Sequence, residues 1–220
     1  MQVVDQLRGG LIVSCQAPPG SPLENPQVIA AMAAAAERAG AVAVRINGPA
    51  NVRAVRAAIR IPILGIYKRR GREVVITPTF EDARAVREAG ADLIALDATA
   101  HAHADGLIRR VQRELDCPVM ADIATVAEGI AAAEAGAALV ATTLYGYTEG
   151  TSGCQLPGLD LVEELARSVS APVVCEGGVS SPEQVSEAFR RGAFAVVVGT
   201  AITGLEARVR LFASATAKHS

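Results

Sequence analysis

Ala39-Gly40-Ala41-Val42-Ala43-Val44 reads as the end of a helix running into a strand, and three more segments repeat it. They are Ala89-Gly90-Ala91 before Leu93-Ile94-Ala95-Leu96, Ala135-Gly136-Ala137 before Leu139-Val140-Ala141, and Arg191-Gly192-Ala193 before Val196-Val197-Val198. Each glycine stands where a helix stops in left-handed backbone, a conformation glycine takes without the steric cost of a Cβ. The glycines at 40, 90, 136 and 192 are separated by 50, 46 and 56 residues. A second repeat interleaves with them. Ile61-Pro62-Ile63-Leu64-Gly65-Ile66-Tyr67, Cys117-Pro118-Val119-Met120-Ala121 and Ala171-Pro172-Val173-Val174-Cys175 are proline-led apolar runs, and they deliver Lys68, Asp122 and Glu176 at their carboxyl ends. With Leu11-Ile12-Val13-Ser14 as the opening strand, the count reaches eight short strands separated by alanine-rich helical stretches such as 29–39 and 83–89. Eight strand–helix units in 220 residues predict an α/β fold, a single (β/α)8 TIM barrel spanning 1–220, rather than an open doubly wound sheet. In such a barrel the loops after the strand C-termini build the active site, so residues at strand ends outrank polar residues elsewhere.

Composition agrees. Half the residues are apolar, with three tyrosines, four phenylalanines and no tryptophan, which suits a core of Val, Ile, Leu and Ala layers. Lys plus Arg number 21 against 23 Asp plus Glu, and no basic run is longer than Lys68-Arg69-Arg70, which argues against a nucleic-acid surface. No apolar stretch approaches the ~20 residues of a membrane span, and the N-terminus lacks a basic-then-apolar targeting pattern, so a cytoplasmic protein is expected. Cys15, Cys117, Cys154 and Cys175 are scattered without the close pairing of a zinc or dithiol motif. His101 and His103 have no third histidine nearby and read as loop residues rather than metal ligands. A homo-oligomer, most simply a dimer, is expected.

Taken in order, the strand ends offer Gln16, then Arg45 and Asn47, then Lys68, then Asp97 and Thr99, then Asp122, then Thr142 and Thr143, then Glu176, then Gly199 and Thr200. One amine and three carboxylates facing a common mouth suit proton abstraction beside a carbonyl, with a lysine as base and a carboxylic acid returning the proton. Lys68 on the third strand and Glu176 on the seventh would face each other across an eight-strand ring, as proton transfer to two faces of a planar enolate requires. Arg45, Arg69 and Arg70 are candidates for the nearby positive charge that keeps a lysine neutral. Gly177-Gly178 before a Ser-Ser-Pro helix start, and Gly199-Thr200 opening the last helix, resemble the phosphate site that barrels commonly build after their last two strands.

At Gly10-Leu11-Ile12-Val13-Ser14-Cys15-Gln16, Gly65-Ile66-Tyr67-Lys68-Arg69, Ala121-Asp122-Ile123, Thr142-Thr143-Leu144-Tyr145-Gly146-Tyr147-Thr148 and Glu176-Gly177, the chain resembles the N-acetylmannosamine-6-phosphate 2-epimerases, also called N-acylglucosamine-6-phosphate 2-epimerases. The resemblance spans almost the whole chain. It implies a TIM-barrel isomerase of amino-sugar and sialic acid catabolism that interconverts N-acetylmannosamine 6-phosphate and N-acetylglucosamine 6-phosphate without a redox cofactor; that no metal is needed is expected from the lack of a His, Cys and carboxylate cluster at ligand spacing. Carried over by position, Lys68 would be the base at C2 and Glu176 the acid or second base, with Gln16, Arg45, Asp122 and Thr143 holding the sugar. Gly177, Gly178, Gly199, Thr200 and Arg208 would hold the phosphate. The chain departs from the family pattern at Gly178 and Gly204, where a basic residue is usual. Arg208, one helical turn past Gly204, is expected to compensate in part, and an arginine restored at 204 is expected to tighten phosphate binding. A Schiff-base lyase or aldolase on a sugar phosphate, and a non-catalytic sugar-phosphate sensor, are the alternative functions.

Overall fold

The computed structural model describes residues 2–70, 74–99 and 104–216. Its strands are β1 (Leu11–Cys15), β2 (Ala43–Asn47), β3 (Ile63–Ile66), β4 (Lys68–Arg70), β5 (Val74–Ile76), β6 (Leu93–Asp97), β7 (Val119–Asp122), β8 (Leu139–Ala141), β9 (Val173–Cys175) and β10 (Ala195–Val198). Eight of them close a ring in the order β1-β2-β3-β6-β7-β8-β9-β10, every neighbour parallel. The helices are α1 (Gln2–Asp5), α2 (Pro26–Arg38), α3 (Pro49–Ala58), α4 (Phe80–Glu88), α5 (Ala104–Leu115), α6 (Val126–Glu134), α7 (Leu159–Ser168), α8 (Pro182–Arg190), α9 (Thr200–Thr203) and α10 (Leu205–Thr216). This is a (β/α)8 barrel.

The repeated helix stop forms as its chemistry requires. Gly40, Gly90, Gly136 and Gly192 have φ of 98°, 113°, 95° and 97°. The alanine after each donates its N–H to the carbonyl five residues back, Ala41 to Ala36, Ala91 to Val86, Ala137 to Ala132 and Ala193 to Ala188, at 2.9–3.1 Å. One turn geometry thus satisfies a terminal carbonyl of four helices and aims the chain into the next strand.

Side chains alternate along every strand, which divides the core in two. Val44, Ile46, Ile63, Ile94, Val119 and Val140 pack outward against the helices, while Ile12, Ala43, Leu64, Leu93, Met120, Leu139 and Val174 fill the barrel. Leu7, carried in just after α1, is 1% exposed and packs with that inner cluster.

Two features were absent from the sequence expectation. After β3 the chain forms an antiparallel ribbon, β4 with β5, in which Lys68 pairs with Ile76. The last helix is also not continuous from Thr200: α9 ends at Gly204 and α10 starts anew. Ile202, Leu205, Val209, Leu211 and Phe212 on these two helices are all more than half exposed. Among the described residues, no helix is long and apolar enough to cross a membrane.

Candidate active site

Continuing the inward parity of each strand past the apolar layers brings a polar set to the C-terminal mouth. Ala43 is followed inward by Arg45 and Asn47, Leu64 and Ile66 by Lys68, Leu93 and Ala95 by Asp97, Met120 by Asp122, Leu139 and Ala141 by Thr143, and Val174 by Glu176. The ring places β3 and β9 four strands apart, on opposite sides.

The deepest polar layer is an ionic plug. Arg45 and Asp122 are 1% and 0% exposed at their side chains, and two parallel bonds join them: Nη1 to Oδ1 at 3.1 Å and Nη2 to Oδ2 at 2.6 Å. The same Nη1 donates to Glu176 Oε2 at 2.5 Å, and the Glu176 side chain is 11% exposed. Thr143 Oγ1 donates to Asp122 Oδ1 at 2.6 Å. Thr142 clamps the glutamate backbone, its hydroxyl donating to the Glu176 carbonyl at 2.9 Å and accepting the Glu176 N–H at 3.1 Å. A charge so deep persists only when paired and hydrogen-bonded, and this one spans β2, β7 and the end of β9.

These contacts set the electrostatics. Burial is the largest influence on Glu176 and pushes its pKa up to about 7; the Arg45 and Lys68 charges work against that, and the Asp122 charge adds to it. Burial opposes the charge of Arg45, yet its two carboxylates outweigh this and hold the guanidinium above its ordinary pKa. Asp97 is raised by burial, partly offset by bonds from the Thr99 N–H and hydroxyl at 2.9 and 2.6 Å, and raised further by Asp122 and Glu128.

Lys68 begins the ribbon rather than ending the barrel strand, and its neighbours fix its direction. Its N–H donates to Asn47 Oδ1 at 2.9 Å. Tyr67 N–H donates to Thr77 Oγ1 at 3.0 Å, and that hydroxyl donates to the Ala95 carbonyl at 2.7 Å. Arg69 points the other way, bonded to Asp82 at 2.5 Å with its guanidinium 3.9 Å from the centre of the Tyr67 ring. By strand alternation Lys68 faces the mouth. The positive charge expected beside Lys68 is therefore not an open one at Arg45 or Arg69, because both are paired with carboxylates.

A cavity of about 1630 Å³ opens over the mouth. Gln16, Lys68, Thr143, Glu176, Gly177, Gly178, Gly199, Thr200 and Arg208 line it, along with Ser14, Asn47 and Asp97. Arg45 and Asp122 do not; they lie under its floor. Sequence reasoning gave no role to Ser14, Asn47 or the Thr142 clamp, although the alternation from Ile12 and Ala43 already points the first two inward. Among the described residues, no group of three or more His, Cys, Asp or Glu side chains is placed to hold a metal ion. His101 and His103 lie outside the described residues.

The phosphate end differs from expectation in one respect. Gly177 and Gly178 have φ of 103° and 72°, and Gly199 caps the four-residue α9, the short extra helix on which barrels commonly seat phosphate. A Cβ at Gly178 would lie 2.4 Å from Leu156 Cβ, and one at Gly204 would lie 2.6 Å from the Thr200 carbonyl oxygen. Basic side chains at these positions are not additions that this backbone accepts. The expectation that an arginine at 204 tightens binding is corrected on that ground. Arg208 reaches the cavity from α10, its guanidinium 5.5 Å from the centre of the Phe212 ring.

Comparison with known proteins identifies the family. A family model described as "Putative N-acetylmannosamine-6-phosphate epimerase" matches residues 29–218. A protein of Synechococcus elongatus described as "Putative N-acetylmannosamine-6-phosphate 2-epimerase" is 51% identical over 223 aligned residues, 97% of this chain and 96% of that protein. One of Thermosynechococcus vestitus with the same description is 50% identical over 220, covering 98% and 96%. Among solved structures, the N-acetylmannosamine-6-phosphate 2-epimerase from Clostridium perfringens matches with a TM-score of 0.90 at 35% identity, over 96% of this chain and 95% of that one. A thiamine phosphate pyrophosphorylase from Pyrococcus furiosus, at a TM-score of 0.63 and 16% identity, shares the fold alone. With a family model matching residues 29–218, relatives about half identical over nearly the whole chain and the same fold, the chain belongs to the N-acetylmannosamine-6-phosphate epimerase family.

Proposed function

We propose that the protein interconverts N-acetylmannosamine 6-phosphate and N-acetylglucosamine 6-phosphate by moving a proton off and onto C2, with Lys68 and Glu176 as the two acid–base groups. The observation that carries this is the pairing of opposite strand ends: Lys68 leaves β3, Glu176 leaves β9, and both line one cavity above the Arg45–Asp122 pair. Arg45 and Asp122 cancel, which leaves Lys68 and Glu176 as the two facing acid–base groups, with Asp97 also lining the cavity. The state with neutral lysine and protonated glutamate has the same net charge as the state with both ionised. With the sugar open, Lys68 Nζ takes the C2 proton beside the C1 carbonyl, and the electron pair moves into the enolate. Glu176 then returns its own proton to the opposite face of C2. Lys68 ends as ammonium and Glu176 as carboxylate, and one proton passed between them restores the start. A carboxyl near pH 7 in its titration is suited to both halves of that cycle.

In this reading Gln16 and Thr143 contact the sugar, while Arg45 and Asp122 act through Glu176 rather than by touching substrate. Gly177, Gly178, Gly199, Thr200 and Arg208 form the phosphate end. The exposed apolar face of α9 and α10 supports a homodimer, and a phosphorylated substrate supports a cytoplasmic role in amino-sugar catabolism. The test is to incubate the pure protein with N-acetylmannosamine 6-phosphate in deuterated water. Formation of N-acetylglucosamine 6-phosphate carrying deuterium at C2 is expected. No product, or product that keeps its original C2 hydrogen, would sink this mechanism.

A further inference from the structure

Deprotonation at C2 gathers negative charge on the oxygen at C1, and that charge needs a donor beside Lys68. The obvious candidates are already committed. Arg45 is below the floor on two carboxylates. The hydroxyls of Thr99, Thr143 and Thr203 donate to Asp97 Oδ1, Asp122 Oδ1 and the Ser14 carbonyl at 2.6, 2.6 and 2.8 Å.

Asn47 is placed differently. It ends β2, the strand next to β3, on the inward parity of Ala43 and Arg45, and it lines the cavity with Lys68. Its Oδ1 accepts the Lys68 peptide N–H at 2.9 Å, and its own carbonyl accepts the Asn51 side-chain amide at 2.8 Å. A carboxamide has one oxygen and one NH2. With the oxygen turned to the Lys68 N–H, the end Asn47 has left to present to the mouth is N–H. The bond that fixes this orientation is made to the very residue that carries the base, so the donor lies beside Lys68.

We propose that Asn47 is a further substrate-contacting residue, its amide N–H hydrogen-bonding the C1 oxygen as the enolate forms while its carbonyl holds the Lys68 backbone. This rests on the epimerase reading above. Such a donor acts where charge develops rather than where it stands in the ground state, so its loss falls on kcat more than on KM.

The informative variant is Asn47→Asp. It has the same shape and keeps an oxygen for the Lys68 N–H, but it replaces the donor with an anion facing an anion. We expect kcat to fall roughly 100- to 1,000-fold, as for other single oxyanion donors, with KM within a few-fold and little change in melting temperature. The new carboxylate also favours charged Lys68, so the rising limb of kcat/KM moves to higher pH. Asn47→Ala loses both bonds and should lose activity and melting temperature together. The inference is overturned if Asn47→Asp keeps kcat within about threefold of wild type, or if its pH profile does not move. Exchange of the C2 hydrogen by wild-type enzyme in deuterated water is the control: exchange in wild type with none lost in the variant refutes the role of Asn47 alone, and no exchange in wild type refutes the epimerase reading beneath it.

Discussion

Replacing Arg45 with methionine tests whether the buried guanidinium holds the site together or serves the substrate. Methionine roughly fills the volume and brings no charge, so the variant leaves Asp122, 0% exposed, and Glu176, 11% exposed, without their shared cation. Removing one partner of a buried ion pair typically costs about 3–5 kcal/mol, because the remaining charge is stranded rather than because the pair itself was worth that much. For a chain of this size each kcal/mol moves the melting temperature by roughly 2–4 °C, so a fall of about 6–20 °C is expected. The cost depends on pH with a definite sign. Glu176 already titrates near 7 in the intact site, and without Arg45 its carboxyl is pushed higher. A carboxyl raised above its unfolded value contributes stability that is full below that value and is lost as pH rises through the folded one. The deficit of Arg45→Met relative to wild type should therefore be largest near pH ~8 and shrink toward pH ~5.5. Urea denaturation of both proteins at the two pH values measures it. A deficit under about 1 kcal/mol at the higher pH, or one that does not vary with pH, would show that the plug is not what orders the mouth.

Lys68→Ala and Glu176→Gln should each lower turnover by roughly 100- to 10,000-fold with the fold retained, and near wild-type turnover in either variant would remove it from the mechanism. Glu176→Gln should also gain stability relative to wild type as pH rises from about 4.5 to about 7, since the glutamine carries none of the cost of ionising in a buried site; thermal melts across that range would show the opposite trend if burial were not the dominant influence. Arg208→Ala should raise KM for the phosphorylated sugar by a few-fold to about tenfold while leaving kcat, whereas Gly204→Arg should raise KM as well, because its Cβ displaces the Thr200 carbonyl. A lower KM in Gly204→Arg would mean that the turn between α9 and α10 yields easily. Activity should survive exhaustive chelation, and loss restored by a divalent ion would return His101 and His103 to consideration.

The barrel was legible because its signals are local and repeated. A glycine stop four residues past a helical alanine or valine, and a proline at the head of an apolar run, each report on a few bonds of backbone. The identity of the strand-end residues was legible for the same reason. Their partners were not, since Arg45 reaches residues 77 and 131 positions away, and nothing local distinguishes a guanidinium that meets a sugar from one sealed under the floor. The ribbon after β3 was missed because Lys68-Arg69-Arg70 lacks the apolar alternation of a half-buried strand; its register comes from Thr77, Asn47 and Asp82, all outside the segment. The break at Gly204 was read as a missing charge when its physical meaning is contact with Thr200.

The Arg45–Asp122–Glu176 plug also limits how this sequence can drift. Changing Arg45 or Asp122 alone strands an ion at depth, so single steps away from that pair are closed, and only concerted replacement leads elsewhere. The rim carries no such restraint. Arg208 shares no buried ion with its neighbours and can be traded singly for a small gain or loss, whereas Gly178 and Gly204 are held by close contact with Leu156 and the Thr200 carbonyl. Lineages of this barrel should then show positions 45 and 122 inherited as a pair at the chemical centre and position 208 varying on its own. An alignment in which position 45 changes freely while 122 and 176 stay fixed would contradict that.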